Sequence, residues 1–149
     1  MGESPTREGL IKNARNAVTN HSEYVFDEVR PIPIGGNPPF HTDCAGFITL
    51  MVLQTGVGSP DVFNGSTYTG TLLDKLQHIP YWTTMMGDLV VFGQYPGEHS
   101  AILSEGMNTT WNPNIISFGF QGGPTEHSLV YEVTSYWDPG TPITFLKLF

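Results

Sequence analysis

The run Asp43-Cys44-Ala45-Gly46-Phe47-Ile48-Thr49-Leu50-Met51-Val52 holds the only cysteine of a 149-residue chain, and its reading decides the fold. Phe47, Ile48, Met51 and Val52 recur at helical spacing, Asp43 is a good N-cap and Gly56 a natural stop. The run therefore predicts a helix that starts at Cys44 and buries an apolar stripe. The first amides of a helix have no partner within it and the helix dipole is positive there, so a thiolate is stabilised at that end. Thiols so placed, above all with a histidine nearby, fall from a pKa of roughly 8.5 to about 3.5–7.5 and become good nucleophiles at neutral pH. A lone cysteine is otherwise a small buried hydrophobe, and its surroundings decide between the two.

Upstream, Arg30-Pro31-Ile32-Pro33-Ile34-Gly35-Gly36-Asn37-Pro38-Pro39 is a loop whose prolines forbid a helix and whose glycines allow close backbone approach to a ligand. Before it, a helix is predicted over about residues 5–22, capped by Ser4 or Thr6, with Pro5 in its first turn and Leu10, Ile11, Ala14, Ala17 and Val18 on one face. Beyond the cysteine helix, Gly56 to Gly70 is polar and glycine-rich, and Leu72, Leu73 and Leu76 predict a short helix before Ile79-Pro80. The remainder reads as strands at Asp88–Phe92, Ser100–Ser104, Ile115–Phe120, Ser128–Val133 and Ile143–Leu148. Helices first and strands after is the α+β order, with N-terminal helices packed on an antiparallel sheet of about five strands in one domain, residues 1–149.

Composition narrows the function. With 39% apolar residues the chain can bury a core without metal or disulfide, and one cysteine allows no internal disulfide. A net charge of −8 provides no footprint for phosphate backbones, so nucleic acid is not an expected partner. No stretch approaches membrane-spanning length, and Met1-Gly2-Glu3-Ser4-Pro5 lacks the basic start and apolar run of a secretory signal. Cytoplasmic synthesis, no membrane insertion and a monomer without cofactor are the expectations.

The second reactive candidate is His99, which follows Gly87-Asp88-Leu89-Val90-Val91-Phe92-Gly93 in the run Glu98-His99-Ser100-Ala101-Ile102-Leu103, at the entrance of a predicted strand. A helix N-terminus packed on a sheet edge can bring such a histidine within hydrogen-bond reach of the thiol. His21 and His78 lie near predicted helix ends, where a cation suits the dipole, and read as structural, while His41 and His127 are open. A metallohydrolase would need three ligands, and His41-Thr42-Asp43-Cys44 offers only a hint without an HExxH or a cysteine pair. A serine hydrolase would need a Gly-x-Ser-x-Gly elbow, which does not occur.

Together, Asp43-Cys44-Ala45-Gly46-Phe47, Gly87-Asp88-Leu89-Val90-Val91-Phe92 and His99-Ser100-Ala101-Ile102 resemble the motif order of NlpC-type, papain-like cysteine peptidases that cut peptidoglycan. The likeness is strongest to the catalytic domains of endolysins from phages of actinobacteria, and spans about residues 35–120. It implies an α+β papain-like fold with Cys44 as nucleophile and His99 as base. It also implies a peptidoglycan peptide as partner, no metal, and action on the bacterial cell wall. Ala45 stands where the family has serine, a change that removes a hydroxyl and leaves the backbone amides.

In that family a polar residue on a following strand orients the histidine. The related lysins carry Ser-His-Gly-x-Glu-x-Gly-Pro where this chain has Ser117-Phe118-Gly119-Phe120-Gln121-Gly122-Gly123-Pro124, so a phenylalanine replaces the histidine. Gln121 and Asn112 stand as equal candidates for the third member, with Glu126 and His127 competing at other spacings. An amide can fix the imidazole tautomer but stabilises an imidazolium less than a carboxylate does. The Gly35-Gly36 loop and residues 56–70 are candidate groove walls, and Tyr81, Trp82 and Trp111 either offer flat surfaces to a peptide or fill the core. The competing reading is a non-enzymatic phage structural or wall-binding protein with a degenerate site.

Overall fold

The computed structural model describes residues 3–56, 62–119 and 123–148. Helix α1 (Glu3–Thr19) is already under way at Glu3, ahead of the Ser4 or Thr6 expected to cap it, and ends before His21. Its buried face is the predicted one: Leu10, Ile11, Ala14 and Ala17 pack into the core with Val18 at the margin. A short parallel pair, β1 (Tyr24–Phe26) and β2 (Phe40–Thr42), then brackets the proline-rich loop and delivers the chain to α2 (Cys44–Gln54). Every residue of α2 from Ala45 to Val52 is buried, more than the single stripe its periodicity requires, because sheet and α1 both lie against it.

After α3 (Thr69–Lys75) comes one antiparallel sheet of β3 (Gln77–Ile79), β4 (Leu89–Phe92), β5 (His99–Leu103), β6 (Asn114–Gly119), β7 (Gly123–Ser128) and β8 (Ile143–Lys147). Its spatial order is β3-β8-β4-β5-β6-β7, so the last strand of the chain inserts between the first two. The sheet has six strands where five were expected. The added strands are β3, too short for an alternating pattern, and β7, whose Gly-Pro start reads as a turn. The stretch Ser128–Val133 is not a strand: Ser128 Oγ accepts the Tyr131 amide and caps a helix, α4 (Leu129–Tyr136). Its β-branched valines gave the wrong period, and the serine cap with Leu129 and Val133 turned inward overrides it.

Alternation along the strands divides the interior. Leu89, Val91, Ile102, Ile116 and Phe118 face α1 and α2. Val90, Phe92, Ala101, Leu103 and Ile115 face Leu129, Val133 and Trp137 on the other side.

One buried ion pair ties α1 to the sheet. Arg7 Nη1 donates to Asp88 Oδ1 at 3.0 Å, and both side chains are almost wholly enclosed. The same carboxylate accepts the amides of Met85 (2.9 Å) and Leu148 (3.2 Å). Gly87 adopts φ +91°, and a Cβ there would press on Arg7. The Gly87-Asp88 dipeptide is thus a structural clamp. Removing one member of a buried, hydrogen-bonded pair costs about 3–5 kcal/mol. Asp88→Asn is accordingly expected to lower the urea midpoint by a loss of that order at unchanged m-value, with a wild-type midpoint contradicting the clamp.

Candidate functional site

Asp43 caps α2 as predicted: its Oδ1 accepts the Gly46 amide at 2.8 Å. The carboxylate also holds Arg30 at 3.0 Å, which fastens the proline-rich loop to the helix start. A Cβ on Gly46 would collide with Thr42 Oγ1, so the Asp-Cys-x-Gly pattern is required by the turn into the helix. Cys44, partly exposed, therefore emerges at the end of a rigidly seated helix, and its Sγ lies 3.8 Å from Thr69 Oγ1, which in turn lies 3.4 Å from Ser100 Oγ. Thr69 opens α3, and nothing in its sequence neighbourhood marks it. The approach depends on Gly97, where a Cβ would strike Thr69 and Val91.

Cys44 and His99 both line a cavity of about 470 Å³. Burial raises the thiol's pKa, but the nearby His99, with the polar groups of Ser100, outweighs it and holds the thiol below its ordinary value. For His99, burial favours the neutral ring; the nearby Cys44, aided by the field of Glu132, reverses this and raises its pKa. Both shifts favour a thiolate–imidazolium pair.

The histidine sits at the first position of β5, opposite Phe92 of β4, and its ring stacks on Phe92 (centroids 6.0 Å apart) and Trp137 (6.3 Å). The residues weighed as its orienting partner part company. Gln121 lies outside the described residues. Asn112 is not at the cavity: its Oδ1 accepts the Val130 amide at 3.1 Å and helps to start α4. Glu126 points to the α1 face, where it pairs with Arg15 and accepts Ser104 Oγ at 2.6 Å. His127, one residue on and so on the opposite face, lines the cavity, with Nε2 2.6 Å from Glu132 Oε1.

Phe118, aligned with the family histidine, is in the core against Tyr24, Phe26 and Phe47. It is Ser117 and Gly119, of the other parity, that face the cavity from β6. The expected aromatic walls are elsewhere: Tyr81, Trp82 and Trp111 are exposed, Trp111 to 81%, and none lines the cavity or fills the core. Tyr68, Tyr136 and Trp137 take that place. Gly35 and Gly36 are likewise not part of the lining, whereas Glu28 and Arg30 of the same connection are. His41 pairs with exposed Asp27, and His78 Nε2 lies 2.8 Å from the Leu73 carbonyl near the end of α3, the structural placement anticipated for it.

Glu132, His127 and Trp137 form the polar wall that sequence reading did not assemble. The one available signal was a lone acid on a face shared at helical spacing with Leu129, Val133 and Tyr136.

A scan of the sequence against protein-family models gives no match, and neither does a comparison with curated proteins. Solved structures do match in fold. An NLP/P60-family lipoprotein of Staphylococcus aureus superposes over 98% of this chain at 20% identity with a TM-score of 0.62. This chain spans only 42% of that protein. The peptidoglycan hydrolase RipB of Mycobacterium tuberculosis matches over 97% of this chain and 67% of its own, at 13% identity and TM-score 0.61. RipD of the same organism, a non-catalytic NlpC/p60 domain protein adapted to peptidoglycan binding, matches over 94% of this chain and 98% of its own, at 11% identity and TM-score 0.57. At such identities the shared property is the NlpC/P60 fold.

The direction of the thiol shift sets a measurable profile. A depressed thiol pKa leaves thiolate present as pH falls through the ordinary thiol range, so iodoacetamide should alkylate Cys44 with a midpoint below that of free cysteine. In His99→Ala the imidazole's contribution is gone while burial remains, and the midpoint should rise to or above the ordinary value. Identical profiles for the two proteins would show that the ring does not act on the sulfur.

Proposed function

We propose that this protein is a cysteine peptidase or amidase of the phage endolysin type, which cuts amide bonds in the stem peptides or cross-links of peptidoglycan. The observation that carries it is that Cys44, at a helix N-terminus, and His99 line one open cavity, each shifting the other's pKa toward its charged form. The fold alone does not decide, since both a hydrolase and a non-catalytic binding protein have it. What favours catalysis is that a candidate nucleophile and a candidate base share a cavity where a substrate has room.

In the reaction, the Cys44 thiolate attacks the carbonyl carbon of the scissile amide and forms a C–S bond, while the carbonyl oxygen takes the negative charge. The Cys44 amide in the first turn of α2 is offered to that oxyanion, and a donor so placed is worth about 3 kcal/mol of barrier. Collapse breaks the C–N bond as the His99 imidazolium gives its proton to the leaving amine. The now neutral ring takes a proton from water, the hydroxide attacks the thioester, and the acid product leaves with the thiol restored. No metal or cofactor takes part. An acidic protein gains nothing from the anionic wall by long-range attraction, so binding rests on contacts within the cavity. The chain acts as a monomer on the cell wall after synthesis in the host cytoplasm.

Purified cell walls digested with the protein should release new muropeptides, whose masses identify the bond. Cys44→Ala should release none while keeping the fold. Products that persist in Cys44→Ala would remove Cys44 from the chemistry. Binding to walls with no product from wild type would place the protein with the non-catalytic members of this fold.

A further inference from the structure

Glu132 is 6% exposed, and a carboxylate enclosed to that degree is costly unless its oxygens are satisfied. Both are. Oε1 lies 2.6 Å from His127 Nε2, and Oε2 accepts the Trp137 indole N–H at 2.8 Å. Trp137 then lies nearly parallel to Phe92, 7° apart at 5.5 Å, and stacks on the His99 imidazole at 29°. A continuous chain of contacts thus runs from His127 through the carboxylate and the indole to the His99 imidazole. Among the described residues, β6 and β7 line the cavity with Ser117, Gly119, Thr125 and His127, of which only the last is ionisable.

We propose that Glu132, on α4, is the positioning residue of the Cys44–His99 pair, holding the Trp137 indole against the imidazole with one oxygen and His127 with the other, and supplying the negative charge that favours the imidazolium. This rests on the reading of Cys44 and His99 as nucleophile and base. The ionisable groups that share the cavity with His99 are Cys44 from α2 and Asp43 before it, Arg30 and the exposed Glu28 from the loop before β2, the exposed Tyr68 before α3, Glu98 beside His99, His127 from β7, and Tyr136 with Glu132 from α4. Arg30 is paired with Asp43, and Glu98 is exposed and screened by solvent. Glu132 is the carboxylate whose field bears on His99.

The test separates this inference from the hydrolase reading by working in Cys44→Ala protein, where the thiolate is absent and turnover is not needed. The His99 ring is titrated there by nitrogen-15 NMR. Glu132→Gln keeps an oxygen for the indole but removes the charge, and should lower the His99 midpoint by about 0.5 unit or more. Trp137→Phe keeps an aromatic ring but removes the donor, and should broaden or shift the His99 resonances. Leu129→Ala, a packing change on the same helix, should leave the midpoint in place. With Cys44 restored, Glu132→Gln should move the alkaline limb of kcat/KM on cell walls to lower pH by the same shift.

An unchanged midpoint in Glu132→Gln, or an equal drop in Leu129→Ala, overturns the inference. If Glu132→Gln does not fold, an unaltered His99 signal in Trp137→Phe overturns it alone. A lowered midpoint in a protein that cuts no wall supports the positioning role and defeats the hydrolase reading instead.

Discussion

The seating of α2 governs this molecule. A helix buried along its whole length from Ala45 to Val52, with α1 on one side and β5 and β6 on another, cannot rotate or slide without opening the core. Its first residue is therefore fixed in space by packing many residues away. Asp43 adds the local constraint: one carboxylate caps the Gly46 amide and anchors Arg30, so the loop that leads in is held by the group that starts the helix. Cys44 is positioned from both directions.

That position acquires chemical meaning through a contest between desolvation and pairing. Burial by itself would keep the thiol protonated and the imidazole neutral. The two groups reverse this for each other, since opposite charges near one another in a poorly solvated site outweigh the cost of leaving water. The His99 ring also stacks on Phe92 and on Trp137, which stack on each other, so aromatic packing as well as charge bears on its orientation. The Arg7–Asp88 clamp sits at the start of β4, the strand that pairs with β5, and links α1 to the sheet that carries His99.

How far the sequence could be read varied with the range of the forces involved. The α1 face, the cap and start of α2, the short helix near Leu72 and four of the strands followed from local periodicity and turn chemistry. The stretch after Ser128 did not, because β-branched residues beside a serine fit a strand or a capped helix, and only packing of Leu129 and Val133 under the sheet selects the helix. Phe118 shows the same limit at single-residue scale. Its alignment with a family histidine suggested a lost polar group, yet strand parity sends it into the α1/α2 core and turns Ser117 toward the cavity.

What the sequence by itself determined is the elements that carry Cys44 and His99: a cysteine behind an N-cap and a histidine at a strand entrance, both written in neighbours a few residues away. What only the tertiary structure decided is which polar groups surround them. Asn112, Glu126 and His127 look equivalent along the chain, but strand alternation and the start of α4 send the first to a helix cap, the second to the α1 face and the third to the cavity. Glu132 arrives only because α4 folds back under β7. A side chain's direction depends on register and helix phase, and these are fixed by packing between segments that local sequence does not relate.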